Sequence, residues 1–295
     1  MLFAMPGQNF AFTGRSTIGG DAPATGYSAS AVQNYDLDDV ARWQPSGGTP
    51  KHIVIDRGAA FVDYANADVV ALFGFSVSDF DAVANTCGLA SIDLEQSATG
   101  AFAGEETKLV LTPLINGTPL DGPGNFAGPT VVAPLDTIAT QRYLRIILNA
   151  SAAVNVDVGC VWASAATDTA DDAYGAPAEF DVADINRNIK TEQYAGGQSI
   201  TDRPKTRRVA LDLTYTARAW HLFSDAIEGR LTGYVDDPSN PWLFSLDINN
   251  KTRANGRHYW GGLWTFDGNV TSKLTSATVD GARAVKPRFI LRAWR

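Results

Sequence analysis

Apolar and polar positions change over in short bursts along the first half of the chain. Lys51–Asp56 reads Lys-His-Ile-Val-Ile-Asp, apolar through its middle, and ends near Gly58. Asp68–Val77 is a longer apolar run, as expected of a strand buried on both faces. Leu89–Leu94 alternates apolar and polar residues, and Lys108–Ile115 predicts a further strand, stopped by the turn pair Asn116–Gly117. Arg142–Leu148 and Val154–Trp162 follow, with the turn-rich piece Asp121–Gly128 between the two groups. Strands at this density, with no long helical pattern, predict a β-sandwich.

The pattern changes between residues 165 and 178, where six Ala, three Asp and a Gly-Ala-Pro turn make a poor core and a plausible linker. Polar sequence continues to Arg203, with Gly196–Gly197 in its middle. Three segments are therefore expected: a sandwich over 1–165, an extended connector over 166–205, and a β-rich domain over 206–295. In the last, Val209, Leu211, Leu213 and Tyr215 alternate on one strand face. Thr216 can cap a helix over Ala217–Glu228, with Trp220, Phe223 and Ile227 on one side and Gly229 ending it. Trp242–Ile248, Arg257–Phe266, Val270–Val279 and Pro287–Trp294 return to strand. The fold class expected is all-β with one short helix.

Composition agrees and removes several classes. Hydrophobic residues make up 45% of the 295 residues, enough for a core. With 3 His and 2 Cys there is neither a zinc framework nor a disulfide scaffold. No run approaches the ~20 apolar residues of a membrane span. Met1–Ser16 lacks the basic and apolar regions of a signal peptide. Cys87 and Cys160 are expected to be buried free thiols rather than a bridge. The matches to Asn-x-Ser/Thr at Asn116, Asn149, Asn250 and Asn269 are read as chance.

Charge is uneven. Residues 1–180 carry 20 acids and 7 bases, and residues 181–295 carry 12 acids and 17 bases, so a −13 half precedes a +5 half. The acidic half argues against duplex nucleic acid as a partner, and no specific nucleic acid is expected. The division suits head-to-tail packing with copies or neighbours in an assembly. The basic run Arg203, Lys205, Arg207, Arg208 is one candidate contact element, and the C-terminal strand ending at Arg295 another. Alternation puts Trp260, Trp264 and Phe266 on one side of their strand and Tyr259 on the other, and Trp260 and Trp264 join the candidate interface.

Several motifs follow one another in an order seen in a known family. Tyr27-Ser28-Ala29-Ser30 precedes Asp36-Leu37-Asp38-Asp39 and Ala41-Arg42-Trp43. Ile53-Val54-Ile55-Asp56-Arg57-Gly58 and Ala67–Ser76 come next, and Arg142–Ile146 closes the domain. This resembles the galactose-binding-like (discoidin, F5/8 type C) β-sandwich in the version found in tailed-phage virion proteins. The likeness continues through Thr206-Arg207-Arg208, Trp220, Gly229–Gly233, Pro241–Asp247 and Tyr259-Trp260-Gly261. It implies Trp43 as a core anchor and Arg142–Ile146 as a late strand facing that of Val54. It implies a structural protein of a virion tail or baseplate, assembled in the host cytoplasm, with copies of itself and other tail proteins as partners. The alternative it leaves open is a module recognising a host-surface sugar.

No catalytic residue is expected. Asp36, Asp38, Asp39, Asp171, Asp172, Asp236 and Asp237 mostly adjoin turn residues, where Asp serves the backbone. His52, His221 and His258 adjoin no Gly-x-Ser-x-Gly elbow. No cofactor is expected beyond a structural calcium, for which Asp36, Asp38 and Asp39 lie in the loop that the resemblance indicates.

Overall fold

The computed structural model describes residues 2–4, 9–12, 14–58, 67–79, 87–110, 130–165, 167–168, 177–185, 189–192, 198–201, 206–213, 215–216, 241–245, 262–266, 271–279 and 282–293. In chain order the strands are β1 (Leu2–Ala4), β2 (Thr17–Gly20), β3 (Ala41–Trp43), β4 (Lys51–Asp56), β5 (Ala67–Phe73), β6 (Ser76–Val77), β7 (Leu89–Ser97) and β8 (Thr107–Val110). Next come β9 (Thr130–Ala139), β10 (Tyr143–Ala150), β11 (Val156–Val158), β12 (Cys160–Ser164), β13 (Thr167–Asp168), β14 (Pro177–Ile185), β15 (Ile189–Glu192) and β16 (Gln198–Thr201). The last are β17 (Thr206–Leu213), β18 (Tyr215–Thr216), β19 (Trp242–Ser245), β20 (Gly262–Phe266), β21 (Thr271–Val279) and β22 (Ala282–Ala293). The fold is all-β; the helix expected over 217–228 lies outside the described residues.

The chain divides into two compact units. The first is Leu2–Thr167 with Pro241–Leu263; the second is Asp168–Asn240 with Trp264–Trp294. A linear reading could not show that residues 241–263 return to the first unit, where β19 pairs antiparallel with β1 (Leu2 opposite Ser245).

The first unit is a sandwich. One layer is a five-stranded sheet in the order β2-β4-β10-β7-β8. Against it lie two three-stranded sheets, β12-β5-β9 and β3-β11-β6. Ile53 and Ile55 of β4, Leu144, Ile146 and Leu148 of β10, and Ile92 and Leu94 of β7 form one cluster with residues from both smaller sheets. Those are Val70, Leu72, Val161 and Ala163 from one, and Trp43, Val156 and Val158 from the other. Residues alternate in and out along β4 and β10 as the strand period requires. The expectation that Arg142–Ile146 faces the Val54 strand is corrected here. The two are hydrogen-bonded neighbours in one sheet, Arg145 opposite Val54, so they share a face instead of opposing one another.

Val69–Phe73 are all buried, as the unbroken apolar run requires. That run is two strands, however, parted at Gly74. Gly74 has φ +59, and a Cβ there would meet Leu37 O at 2.9 Å and Gly159 Cα at 3.2 Å. The backbone of Leu37 thus lies against two glycines that only a missing side chain allows to approach it. Trp43 is fully buried, and its Nε1 donates to Asp21 O at 3.0 Å. Arg57 is also buried; its Nη2 donates to Ala139 O and its guanidinium lies 5.1 Å from the Phe10 ring centroid. Burial draws this guanidinium down to about 10.

In the second unit, β17 is central: β14 pairs along its length on one side and β22 on the other. β22 also pairs with β18, β20 and β21. Two expectations change. Residues 166–205, expected as an extended connector, contain β14, β15 and β16. The C-terminal strand, expected as a contact element, pairs with β17 and β20 over Arg288–Ala293 and with β18 and β21 before that, so its backbone groups are engaged within the unit. Among the described residues no helix is long and apolar enough to cross a membrane.

Candidate functional site

The outward face of the five-stranded sheet gathers aromatic and charged side chains at one end. Register places Asp56 (β4), Tyr143 (β10) and Ser97 (β7) in one row, and Val54, Arg145 and Glu95 in the next. Arg142, just before β10, donates from Nε to Asp56 Oδ1 at 2.6 Å and from Nη2 to Oδ2 at 2.8 Å, a bidentate pair. This bond holds the Asp56 carboxyl below its ordinary range, and the backbone N–H of Gly58 assists. The Arg142 guanidinium lies 4.8 Å from the Tyr143 ring centroid. One row away, Arg145 Nε donates to Glu95 Oε2 at 3.0 Å, and Nη2 contacts the same oxygen. Its guanidinium lies 4.1 Å from the centroid of Phe102.

Phe102 sits on the loop from Ser97 to Glu106, and one carboxylate organises that loop. Glu105 Oε1 accepts from Ser97 Oγ (2.6 Å), Thr99 Oγ1 (2.7 Å) and Phe102 N (3.0 Å), while Oε2 accepts from Ala103 N (2.8 Å). Ser97 Oγ in turn accepts from the backbone N–H groups of Thr99 and Gly100. Folded this tightly, the loop holds Phe102 at φ +48, the one non-glycine residue with positive φ among those described. A bulky residue in that region is a true outlier, and such strain concentrates where structure serves binding. The loop also lies on Tyr143: a Cβ at Gly100 would meet that ring at 3.0 Å. Both rings remain half-exposed.

The Glu105 hub gives a pH prediction. Hydrogen bonds from Ser97 first, then Thr99 and Ala103, bring its carboxyl from the ordinary 4.5 down to about 2. A carboxylate with a depressed folded-state pKa holds its loop fully above the unfolded value and releases it as pH falls through the folded one. Amide hydrogen exchange at residues 99–104 is therefore expected to stay slow down to about pH 5 and to accelerate between about pH 4.5 and 2. Uniform exchange rates across that window, after correction for intrinsic chemistry, count against the hub.

No family model matches the chain. No curated protein matches it either. Solved structures give distant likenesses. Chitosan-binding module 1 of a chitosanase/glucanase from Paenibacillus sp. IK-5 is 15% identical, with TM-score 0.36, over 54% of this chain and 98% of that one. CBM32-1 from a family 31 glycoside hydrolase of Clostridium perfringens is 13% identical, with TM-score 0.37, over 52% and 97%. SpGH29 is 10% identical, with TM-score 0.37, over 56% and 29%.

The residues singled out from sequence fall elsewhere. Asp36, Asp38 and Asp39 lie together on the loop before β3, where Asp36 Oδ1 accepts from Asp38 N, Asn34 Oδ1 accepts from Asp36 N, and Asn34 Nδ2 lies 3.4 Å from Asp39 Oδ2. These are turn bonds of the kind short polar side chains make to local backbone. Among the described residues no three His, Cys, Asp or Glu side chains are grouped to hold a metal ion. Arg207 and Arg208 lie on β17, between β14 and β22. Trp264 is 2% exposed, its ring packed inside the protein and not offered on a surface. Arg203, Lys205 and Trp260 lie outside the described residues, as do His221 and His258.

His52 is on β4, with Nδ1 3.0 Å from Asp21 Oδ2. Asn149 is on β10 and donates to Ser91 Oγ and Asp93 Oδ2. Cys87 and Cys160 are both free thiols. Burial pushes each thiol up, the fully buried Cys160 far more than Cys87.

The sequence reading passed over Phe102, Tyr143 and Arg145 as site residues. The one available signal was a lone aromatic in the loop segment Ala98–Glu106, flanked by small residues and two glycines.

Proposed function

We propose that the first unit is a non-catalytic carbohydrate-binding module and that the Phe102–Tyr143 face holds the sugar. Phe102 carries this reading: a strained, half-exposed ring that the loop builds its hydrogen bonds to present. A pyranose offers C–H groups on one face and hydroxyls around its rim. Aromatic planes suit the first, and fixed carboxylate and guanidinium groups suit the second. Here both rings stand beside guanidinium groups already locked to Asp56 and Glu95, so little ordering remains to be lost on binding. The −13 charge of residues 1–180 favours neutral or cationic polymers over anionic ones.

Affinity electrophoresis against galactan, chitosan and alginate tests this. Retention by galactan or chitosan and not by alginate is expected. Phe102→Gly is the informative variant, because it removes the ring and also the φ strain. Relief of about 1–3 kcal/mol offsets the loss of a cation–π contact of about 0.5–1 kcal/mol. Its melting temperature is therefore expected to hold or rise. Losing a hot-spot aromatic costs about 2 kcal/mol of binding, roughly thirtyfold in Kd. A Phe102→Gly protein that binds like the parent refutes the site, and retention by none of the three refutes the reading.

The second reading is assembly into a virion tail through contacts with copies and other tail proteins. The division of charge into −13 and +5 halves favours it. Light scattering on the same preparation distinguishes it: self-association that weakens with salt, with no polysaccharide retention, supports assembly.

A further inference from the structure

We propose that the first unit carries a second, separate polyhydroxyl-binding patch, built from Tyr27, Arg42, Gln44, Asn155 and Asp157. The proposal rests on the reading of this unit as a sugar-binding module and adds a site to it.

The patch lies on the small sheet β3-β11-β6. Arg42 stands opposite Asp157 in register, and its Nε and Nη2 donate to Asp157 Oδ1 and Oδ2 at 2.6 and 2.8 Å. The guanidinium lies 4.9 Å from the Tyr27 ring centroid. One step along, Gln44 Nε2 donates to Asn155 Oδ1 at 2.9 Å. Asn155 is held in turn by its backbone, which donates to Ser78 Oγ and accepts from Ser78 N. Two planar pairs and a ring are therefore fixed side by side, on two short strands and the residues that adjoin them. Gln44 is exposed, and the other four are half-exposed.

The groups left over define the ligand. Arg42 Nη1, Gln44 Oε1 and Asn155 Nδ2 have no hydrogen-bond partner among the described residues. They run donor, acceptor, donor. An anion would want donors alone, and a cation acceptors alone. A pair of neighbouring hydroxyls, each able to donate and accept, satisfies the mixed set. The bonded carboxylate of Asp157 neutralises Arg42, which further disfavours an anion.

This patch is not an extension of the Phe102 site. Tyr143 opens β10 and Ala150 ends it. The bridge between Gly47 and Ala150 and the bond from Val154 N to Pro45 O put Gln44 and Asn155 beyond the far end of that strand. At about 3.4 Å per residue, the two patches are roughly 20 Å or more apart, too far for one sugar ring. A polymer could engage both, and linking two weak sites raises avidity without any new contact.

Isothermal titration with tetrasaccharides of galactan, chitosan, mannan, β-glucan and xylan tests the proposal. The parent protein, Phe102→Gly and the double variant Gln44→Ala/Asn155→Ala are compared, with melting curves confirming the fold of each. Two sites per chain are expected, with one lost in each variant. On immobilised polysaccharide, either variant is expected to dissociate at least tenfold faster than the parent. Binding removed entirely by Phe102→Gly and unchanged in the double variant overturns the second patch and leaves the first. Binding removed entirely by the double variant and unchanged by Phe102→Gly overturns the Phe102 site and leaves the patch. No binding of any tetrasaccharide overturns both.

Discussion

Trp43→Ala is expected to lower the unfolding free energy of the first unit by about 4 kcal/mol, near the middle of the range for truncating a buried tryptophan. Trp43 has no exposed surface and sits in the shared core, alongside residues from every sheet of the sandwich. Its removal leaves a cavity that neighbouring strands cannot close without breaking register. It also strands a carbonyl, since Trp43 Nε1 donates to Asp21 O. For a unit of this size the loss corresponds to a fall of roughly 10 °C in melting temperature. Trp43→Phe keeps most of the volume and loses the N–H with two ring carbons, so about 1–2 kcal/mol is expected. Denaturant unfolding measures both. Equal costs for the two variants would show that the hydrogen bond, not the filled volume, matters at this position.

Glu95→Ala is expected to cost about 3 kcal/mol, far more than an ordinary surface ion pair. The Glu95 side chain is 7% exposed and that of Arg145 17%, so deleting the carboxylate leaves a guanidinium mostly shut off from water. The double variant Glu95→Leu/Arg145→Met removes both charges together and is expected to lie within about 1 kcal/mol of the parent. The difference between single and double variants isolates the coupling. Because Arg145 also backs Phe102, the double variant is expected to retain the fold and lose sugar binding. A cost below about 1 kcal/mol for Glu95→Ala would place the pair effectively in solvent.

What the sequence disclosed follows from the range of the forces involved. β4 runs over Lys51–Asp56 as its pattern predicts, because Ile53 and Ile55 alternate with half-exposed neighbours and one face is core. The burial of Val69–Phe73 and of Trp43 was legible for the same reason. The break at Gly74 was not, because the backbone it lies against, that of Leu37, is nearly forty residues away in the chain. The candidate site was hidden for the same cause. Arg142 finds Asp56 across 86 positions and Arg145 finds Glu95 across 50, and no local pattern announces either pair. Phe102 takes its meaning from Glu105 and Arg145 together, and neither stands out in the chain. The connector expected over 166–205 was read from its small and polar composition, yet β14 there is a full partner of β17. Composition weighs residues one at a time, whereas a strand is decided by its neighbour.

The pairing of β1 with β19 bears on how the molecule comes into being. The strands from β2 to β12 can meet as soon as Ser164 has emerged. β1 can then meet β13 (Thr167–Asp168) on one side, but β19 on its other side follows it by about 240 residues. At the usual ~5–20 residues per second of translation, that is a wait of roughly 12–50 s. Closing so long a loop costs on the order of 5 kcal/mol in chain entropy, so the seam gains nothing by forming before the rest. Among the described strands, the first to leave the ribosome is thus one of the last to be paired on both sides.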